Sequence, residues 1–279
     1  MSVFTGPLNV RGIHITLHRA GEGEPLLYLH SAGAEATAWG PPMEQLAEHF
    51  DVIAPVHPGF PGSAGIDKVH HIADLVLHYV DLLDALHLRR AHVVGASLGG
   101  WIAAELASLY PERVAGLVLC GAAGLWIEGA PVAEIFGISP AALAELVFYD
   151  QEHPIARMMR AAGEADARGE IPPEDVLIAF HQSNEATARI AWKPYFHNPA
   201  LERRLDRIAS PTLVLWGAED RLIPRAHAER YRNAIPGAEL RTVPACGHSP
   251  QLETPDAFAT IVTEFLRAHP LSVRESNAS

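Results

Sequence analysis

Residues 91–101 constrain the fold most. A short apolar run, Ala91 to Val94, passes through Gly95-Ala96-Ser97-Leu98-Gly99 into a helix of small residues predicted over Trp101 to Leu109. The pentapeptide matches G-x-S-x-G. A strand that turns directly into a helix leaves no room for a Cβ beside the central residue. The glycines supply that room, and the serine is forced into a strained backbone conformation at the positive end of a helix. A hydroxyl held there suits a nucleophile. The same five residues also suit a tight turn whose serine merely caps the helix.

The flanking sequence repeats the strand-then-helix pattern. Ile13 to His18 alternates like a half-buried antiparallel strand. Pro25 to His30, Asp51 to Val56, Val114 to Cys120 and Pro211 to Gly217 are continuous apolar runs, as expected of strands buried on both faces. Ala238 to Pro244 adds another strand. Helical spacing is predicted over Pro42 to Phe50, Val69 to Leu88, Pro224 to Ile235 and Pro255 to His269. Such alternation implies an α/β fold with a mostly parallel sheet and helices on both faces. From about Gly121 to Leu205 the alternation stops. Short helices broken by Pro140, Pro154, Pro172-Pro173 and Pro194 are expected there. The chain therefore divides into a core of residues 1–121 and 206–279 and an inserted helical cap of residues 122–205.

In open α/β sheets functional groups gather at the carboxyl ends of the strands. Gly217-Ala218-Glu219-Asp220-Arg221 follows one strand, and Ala245-Cys246-Gly247-His248-Ser249 follows the next. A serine needs a base, and a histidine base needs an acid to hold its tautomer. Ser97, Asp220 and His248 supply these in chain order. Glu219 competes with Asp220 as the acid, and Asp220 also suits a helix cap.

Composition narrows the partners. The chain has 279 residues, of which 48% are hydrophobic, enough for one large core plus a small subdomain. Its 21 basic and 33 acidic residues give a net charge of -12, which argues against nucleic acid or an anionic membrane as partner. The 16 histidines are scattered without metal-ligand spacing, so no metal is expected. Cys120 and Cys246 form no disulfide framework and fit a reducing compartment. No basic-then-apolar leader opens the chain, and no apolar run is of membrane-spanning length. The expectation is a soluble cytoplasmic protein whose oligomeric state is open, a homodimer included.

With these segments in place, the chain resembles the α/β-hydrolase superfamily over nearly its whole length. The resemblance is carried by Leu29-His30-Ser31-Ala32-Gly33, His57-Pro58-Gly59-Phe60, residues 95–100, Trp216 to Asp220, and Gly247-His248. It implies an eight-stranded sheet with a helical cap over the site, and no cofactor. It implies that Ser97 is the nucleophile, Asp220 the acid and His248 the base. It also implies an oxyanion hole from the backbone N–H groups of Leu98 and Ala32. His30, Ser31, Phe148 and Trp192 are the expected substrate contacts. His57 is expected to be a structural loop residue.

A serine nucleophile excludes the relatives that use aspartate there. The reading put first is cleavage of a small carboxylic ester or lactone through an acyl-enzyme. The alternatives are hydrolysis of a carbon–carbon bond in a vinylogous diketone from aromatic ring cleavage, and a hydrolase-like receptor for a small ligand. Carbon–carbon hydrolases commonly carry Asn before the nucleophile and Trp after the catalytic histidine. Here those places hold Ala96 and Ser249, which weighs toward the ester.

Overall fold

The computed structural model describes residues 2–33 and 39–271. Their strands are β1 (Phe4–Val10), β2 (Ile13–Ala20), β3 (Pro25–Leu29), β4 (Asp51–Pro55), β5 (Ala91–Ala96), β6 (Val114–Cys120), β7 (Thr212–Gly217) and β8 (Glu239–Val243). They form an eight-stranded sheet in the order β1-β2-β4-β3-β5-β6-β7-β8. β1 and β2 join antiparallel, and every pairing from β3 onward is parallel.

The continuous apolar runs are explained by burial on both faces. Along β3, Leu27 and Leu29 point into one core, while Leu26 and Tyr28 point into the other. β7 does the same, with Val214 and Trp216 on one side and Leu213 and Leu215 on the other. The first face is covered by α2 (Ile72–Ala85), α3 (Leu98–Leu109) and α7 (Ala226–Ala234), through side chains such as Tyr79, Trp101 and Tyr231. The second is covered by α1 (Pro41–Leu46) and α9 (Pro255–Ala268), through Leu46, Phe258 and Phe265. Core positions on α9 recur at Phe258, Val262 and Phe265, the spacing of one helix face.

Strand β1 is not legible in the sequence, because Gly6 and Pro7 read as strand breakers. At the sheet edge Pro7 costs no central ladder bond. The periodic stretch from Val69 to Leu88 folds as a shorter helix. The Asp74 carboxylate accepts hydrogen bonds from His70 N (2.8 Å) and His71 N (2.9 Å), and this starts α2 at Ile72.

Between β6 and β7 lie α4 (Pro140–Val147), α5 (Pro154–Ala167) and α6 (Glu174–Ala191). The prolines expected to break helices here begin them instead. Pro140 and Pro154 stand at the first helical position and Pro173 just before it, where the missing N–H has no intrahelical role. A short α8 (Pro250–Glu253) follows the β8 loop.

The strand order also bears on the cysteines. Cys120 ends β6, Cys246 follows β8, and β7 lies between them. Two strand spacings make roughly 10 Å, too far for a disulfide. Both residues are buried and neither is disulfide-bonded. The denatured chain is expected to titrate two thiols. An intact mass two daltons short, with an internal crosslink, is the result that contradicts this sheet.

Candidate active site

Ser97 sits between β5 and α3 with φ 54° and ψ -110°. The glycines around it are required by contact. A Cβ on Gly95 would meet Gly99 O at 2.3 Å, and one on Gly99 would meet Leu29 O at 2.0 Å. Ser97 N donates to Cys120 O (2.8 Å), and Ser97 O accepts from Trp101 N and Ala123 N (both 3.1 Å). The elbow is thus clamped to the ends of β3 and β6. Its side chain makes no capping hydrogen bond to α3, so the helix-cap reading of this serine falls away. Ser97 is only 9% exposed.

Asp220 and His248 meet. His248 Nδ1 donates to Asp220 Oδ2 at 2.9 Å, with the two side chains 4% and 1% exposed. Asp220 Oδ1 accepts from Leu222 N and Ile223 N, both at 2.9 Å. One carboxylate oxygen therefore shapes its own loop while the other holds the imidazole. Glu219, the competing acid, is exposed. The two loops touch at glycine, since a Cβ on Gly217 would lie 1.8 Å from Gly247 O.

With Nδ1 donating to a carboxylate, the neutral ring has Nε2 as its acceptor. That atom is buried and has no hydrogen-bond partner among the described residues. The ring packs over Gly121, where a Cβ would come within 3.2 Å of His248 Cε1. Gly121 adjoins Cys120, the residue that accepts from Ser97 N. Serine and imidazole therefore converge on the end of β6.

Leu98 opens α3, so its N–H has no partner within the helix. The parallel register sets Leu29 opposite Gly95, which brings the loop of His30, Ser31 and Ala32 alongside Ala96 and Ser97. Ala32 is half-buried there.

His30, expected at the substrate, is placed differently. Its Nδ1 donates to Ser31 O (2.6 Å) and its Nε2 accepts from His57 N (2.8 Å). Both ring nitrogens are spent on backbone, so His30 shapes the loop rather than meeting a ligand. Burial lowers its pKa to about 3. His57 lies 3.5 Å away, centroid to centroid, donates from Nε2 to His30 O (2.9 Å) and bonds through Nδ1 to the Tyr79 hydroxyl. Burial holds His57 well below the ordinary histidine range and Tyr79 well above that of tyrosine. His57 is the structural residue expected.

Phe148 and Trp192, the other expected contacts, lie at different depths in the insert. Phe148 is 2% exposed and packs with Ala144 and Ala156 of the insert, stacking on His153. It belongs to the insert's own core. Trp192 is 59% exposed and leans on Phe136, a surface position at the end of α6. Neither placement was readable from residue type. Of the insert's cations, Arg160 pairs with Glu152 and Arg189 with Glu185, while Arg157 and Lys193 are exposed. Glu253, which sequence reasoning overlooks, receives three backbone N–H groups beside His248.

A surface cavity of about 560 Å³ is lined by Val3, Phe4, Arg19, Gly23 and Asp51. Gly23 precedes β3 and Asp51 opens β4, so this cavity lies at the amino ends of the parallel strands, opposite Ser97. It has no part in the site.

Comparison with known proteins agrees with this fold. A family model described as alpha/beta hydrolase fold matches residues 24–255. A 2-hydroxymuconate semialdehyde hydrolase of Pseudomonas sp. is 32% identical over 269 residues, covering 91% of each chain. A 2-hydroxy-6-oxo-2,4-heptadienoate hydrolase of Pseudomonas putida is 30% identical over 271 residues, covering 92% of this chain and 94% of that one. The solved structure of a meta-cleavage product hydrolase from Pseudomonas fluorescens has a TM-score of 0.79 at 26% identity, covering 95% of this chain and 98% of that one.

Proposed function

Since the chain belongs to the alpha/beta hydrolase fold family, we propose that it hydrolyses a carbon–carbon bond in a 2-hydroxy-6-oxo-dienoate, using Ser97, His248 and Asp220. The observation that carries the reading is the buried Asp220–His248 pair, whose Nε2 has no hydrogen-bond partner among the described residues and whose ring packs over Gly121, next to the residue that accepts from Ser97 N. The likeness to two hydrolases of such dienoates, at 32% and 30% identity over nine-tenths of the chain, supports this substrate class over the ester or lactone that the sequence suggests first. An intact serine–histidine–aspartate set also weighs against a non-catalytic receptor.

The chemistry follows from the substrate. A nucleophile that adds to the C6 carbonyl can expel C5 only if C5 leaves as a stabilised carbanion. Moving the dienol proton onto C5 first gives a 2,6-diketone. In the diketone the C5 electron pair delocalises through the C3–C4 double bond onto the C2 oxygen. His248 Nε2 takes the proton of Ser97 Oγ as the oxygen adds to C6. The oxyanion then rests on the N–H groups of Leu98 and Ala32. The C5–C6 bond breaks, the C2 oxygen of the departing dienolate takes the proton back from His248, and a 2-hydroxydienoate is released with an acyl group left on Ser97. Water activated by His248 cleaves that ester to the second acid. The insert of residues 122–205 serves as the cap that closes over the substrate.

Ester hydrolysis stays as the second reading because Ala96 and Ser249 offer less polar support than the Asn and Trp of carbon–carbon hydrolases. One preparation decides between them. The yellow 2-hydroxy-6-oxo-2,4-heptadienoate is expected to be bleached with a kcat/KM more than about 100-fold above that for p-nitrophenyl acetate, a transition-state preference of roughly 2.7 kcal/mol. A reversed ratio replaces the proposal with the ester reading.

A further inference from the structure

We infer that Glu253 is a positioning residue that latches the turn between α4 and α5 onto the loop carrying His248. The inference rests on the reading of Ser97 and His248 as nucleophile and base.

The latch is built from backbone. Glu253 Oε1 accepts from Gly247 N at 2.7 Å, on the loop of the base. Its Oε2 accepts from Tyr149 N at 2.8 Å and Asp150 N at 3.1 Å, on the turn that follows α4. One half-buried carboxylate thus spans two segments about a hundred residues apart in sequence. Charge-assisted bonds of this kind are stronger than neutral ones.

Other contacts place the same two segments against each other. The last carbonyls of a helix have no intrahelical donor. In α4 two of these carbonyls are taken up by the loops of the acid and the base. Val147 O accepts from His248 N at 2.7 Å, and Glu145 O accepts from Arg221 Nη1 at 3.2 Å. Gly247 permits the approach, since a Cβ there would lie 2.4 Å from Val147 O and 2.8 Å from Tyr149 N. Phe148 backs the joint, packed with Ala144 and Ala156 and with Leu252 of α8 against them. The carboxyl end of α4 is therefore a strut for both members of the histidine–aspartate pair. Displacing the turn at residues 147–150 pulls directly on the backbone of His248.

This explains why a carboxylate is required at position 253. Glutamine keeps one acceptor oxygen and replaces the other with an amide that donates. Whichever way it is turned, either Gly247 N or the pair at Tyr149 and Asp150 faces a donor. The misplaced imidazole then loses its line to Ser97 Oγ, and small displacements of reacting groups cost rate steeply.

The test reads labelling of Ser97 by a fluorophosphonate, which needs the nucleophile and base but not the natural substrate. Glu253→Gln is expected to lower the maximal labelling rate by about 10- to 100-fold, with the inhibitor's half-saturation concentration within about twofold of wild type. A purely structural residue would lower the melting temperature and leave that rate intact. A Glu253→Gln rate within about twofold of wild type overturns the proposal.

Should Glu253→Gln fail to fold, Tyr149→Pro carries the test. It deletes the shorter of the two bonds on the insert side, that from Tyr149 N, and leaves the carboxylate and its bond to Gly247 in place. Proline is compatible with a site just past a helix end, after the extended Phe148. A several-fold slower labelling is expected, and an unchanged rate again overturns the proposal. Ser97→Ala is the control. If it is still labelled, the nucleophile assignment fails, and that failure is distinct from a failure of the latch.

Discussion

Ser97→Ala is expected to abolish all but a trace of turnover, leaving only the contribution of binding and the oxyanion donors, roughly 10³–10⁴ over water. The elbow explains why the loss should be confined to chemistry. Ser97 holds φ 54° because β5 must turn at once into α3, with Gly95 and Gly99 in backbone contact around it. Alanine meets the same strain at that φ, so the turn is unchanged. The hydroxyl caps no helix. A far-UV spectrum and melting temperature close to wild type should therefore accompany the inactive variant. Wild-type-like bleaching of the dienol by a clean preparation would sink the mechanism. Partial activity that persists after repeated purification would point to another nucleophile.

The candidate site was legible in the sequence to the degree that its residues sit at strand ends. Val93 and Val94, Leu213 to Leu215 and Leu117 to Leu119 are buried on both faces, so their runs mark strands unmistakably. Each strand end then announces the polar residue that follows it. This is why Ser97, Asp220 and His248 could be named together. Asp220 was separable from Glu219 only through the fold, because the choice depends on which side chain turns inward after Gly217. His30 was misassigned for a related reason. A histidine at a strand end looks like a site residue, and only the positions of Ser31 O and His57 N show that its nitrogens are already taken. Residue type suggested that Phe148 and Trp192 were pocket walls. Burial depends on how the insert's helices pack, and no local pattern records that. Glu253 left no signal, because its three short hydrogen bonds all come from backbone N–H groups, which any residue but proline presents, and its one side-chain partner is the weak donor Cys246 Sγ at 3.9 Å. Strand β1 was hidden by Gly6 and Pro7, which only an edge position tolerates.

Asp220→Asn is expected to cost roughly 10⁴ in kcat, and the reason can be worked out atom by atom. Asp220 Oδ1 is tied to Leu222 N and Ile223 N at 2.9 Å each, while Oδ2 receives His248 Nδ1–H at 2.9 Å. An asparagine must keep an oxygen where the two backbone donors point, or leave both unsatisfied in a buried site. Its amide nitrogen is thereby placed against His248 Nδ1, donor facing donor. The imidazole escapes by changing tautomer, so that Nδ1 accepts and Nε2 carries the hydrogen. Nε2 can then no longer take the proton of Ser97, although every heavy atom stays in place. The lesion should therefore appear in kcat, with KM for the dienol nearly unchanged and the melting temperature close to that of the parent. Glu219→Gln, one residue away, is the matched control. Glu219 is exposed and its backbone N–H already bonds Cys246 O at 2.9 Å, so its side chain is free of the His248 ring and little change is expected. If Glu219→Gln proves the more damaging of the two, the acid has been assigned one residue too late. If both variants keep kcat within about tenfold of wild type, His248 does not depend on a carboxylate for its tautomer.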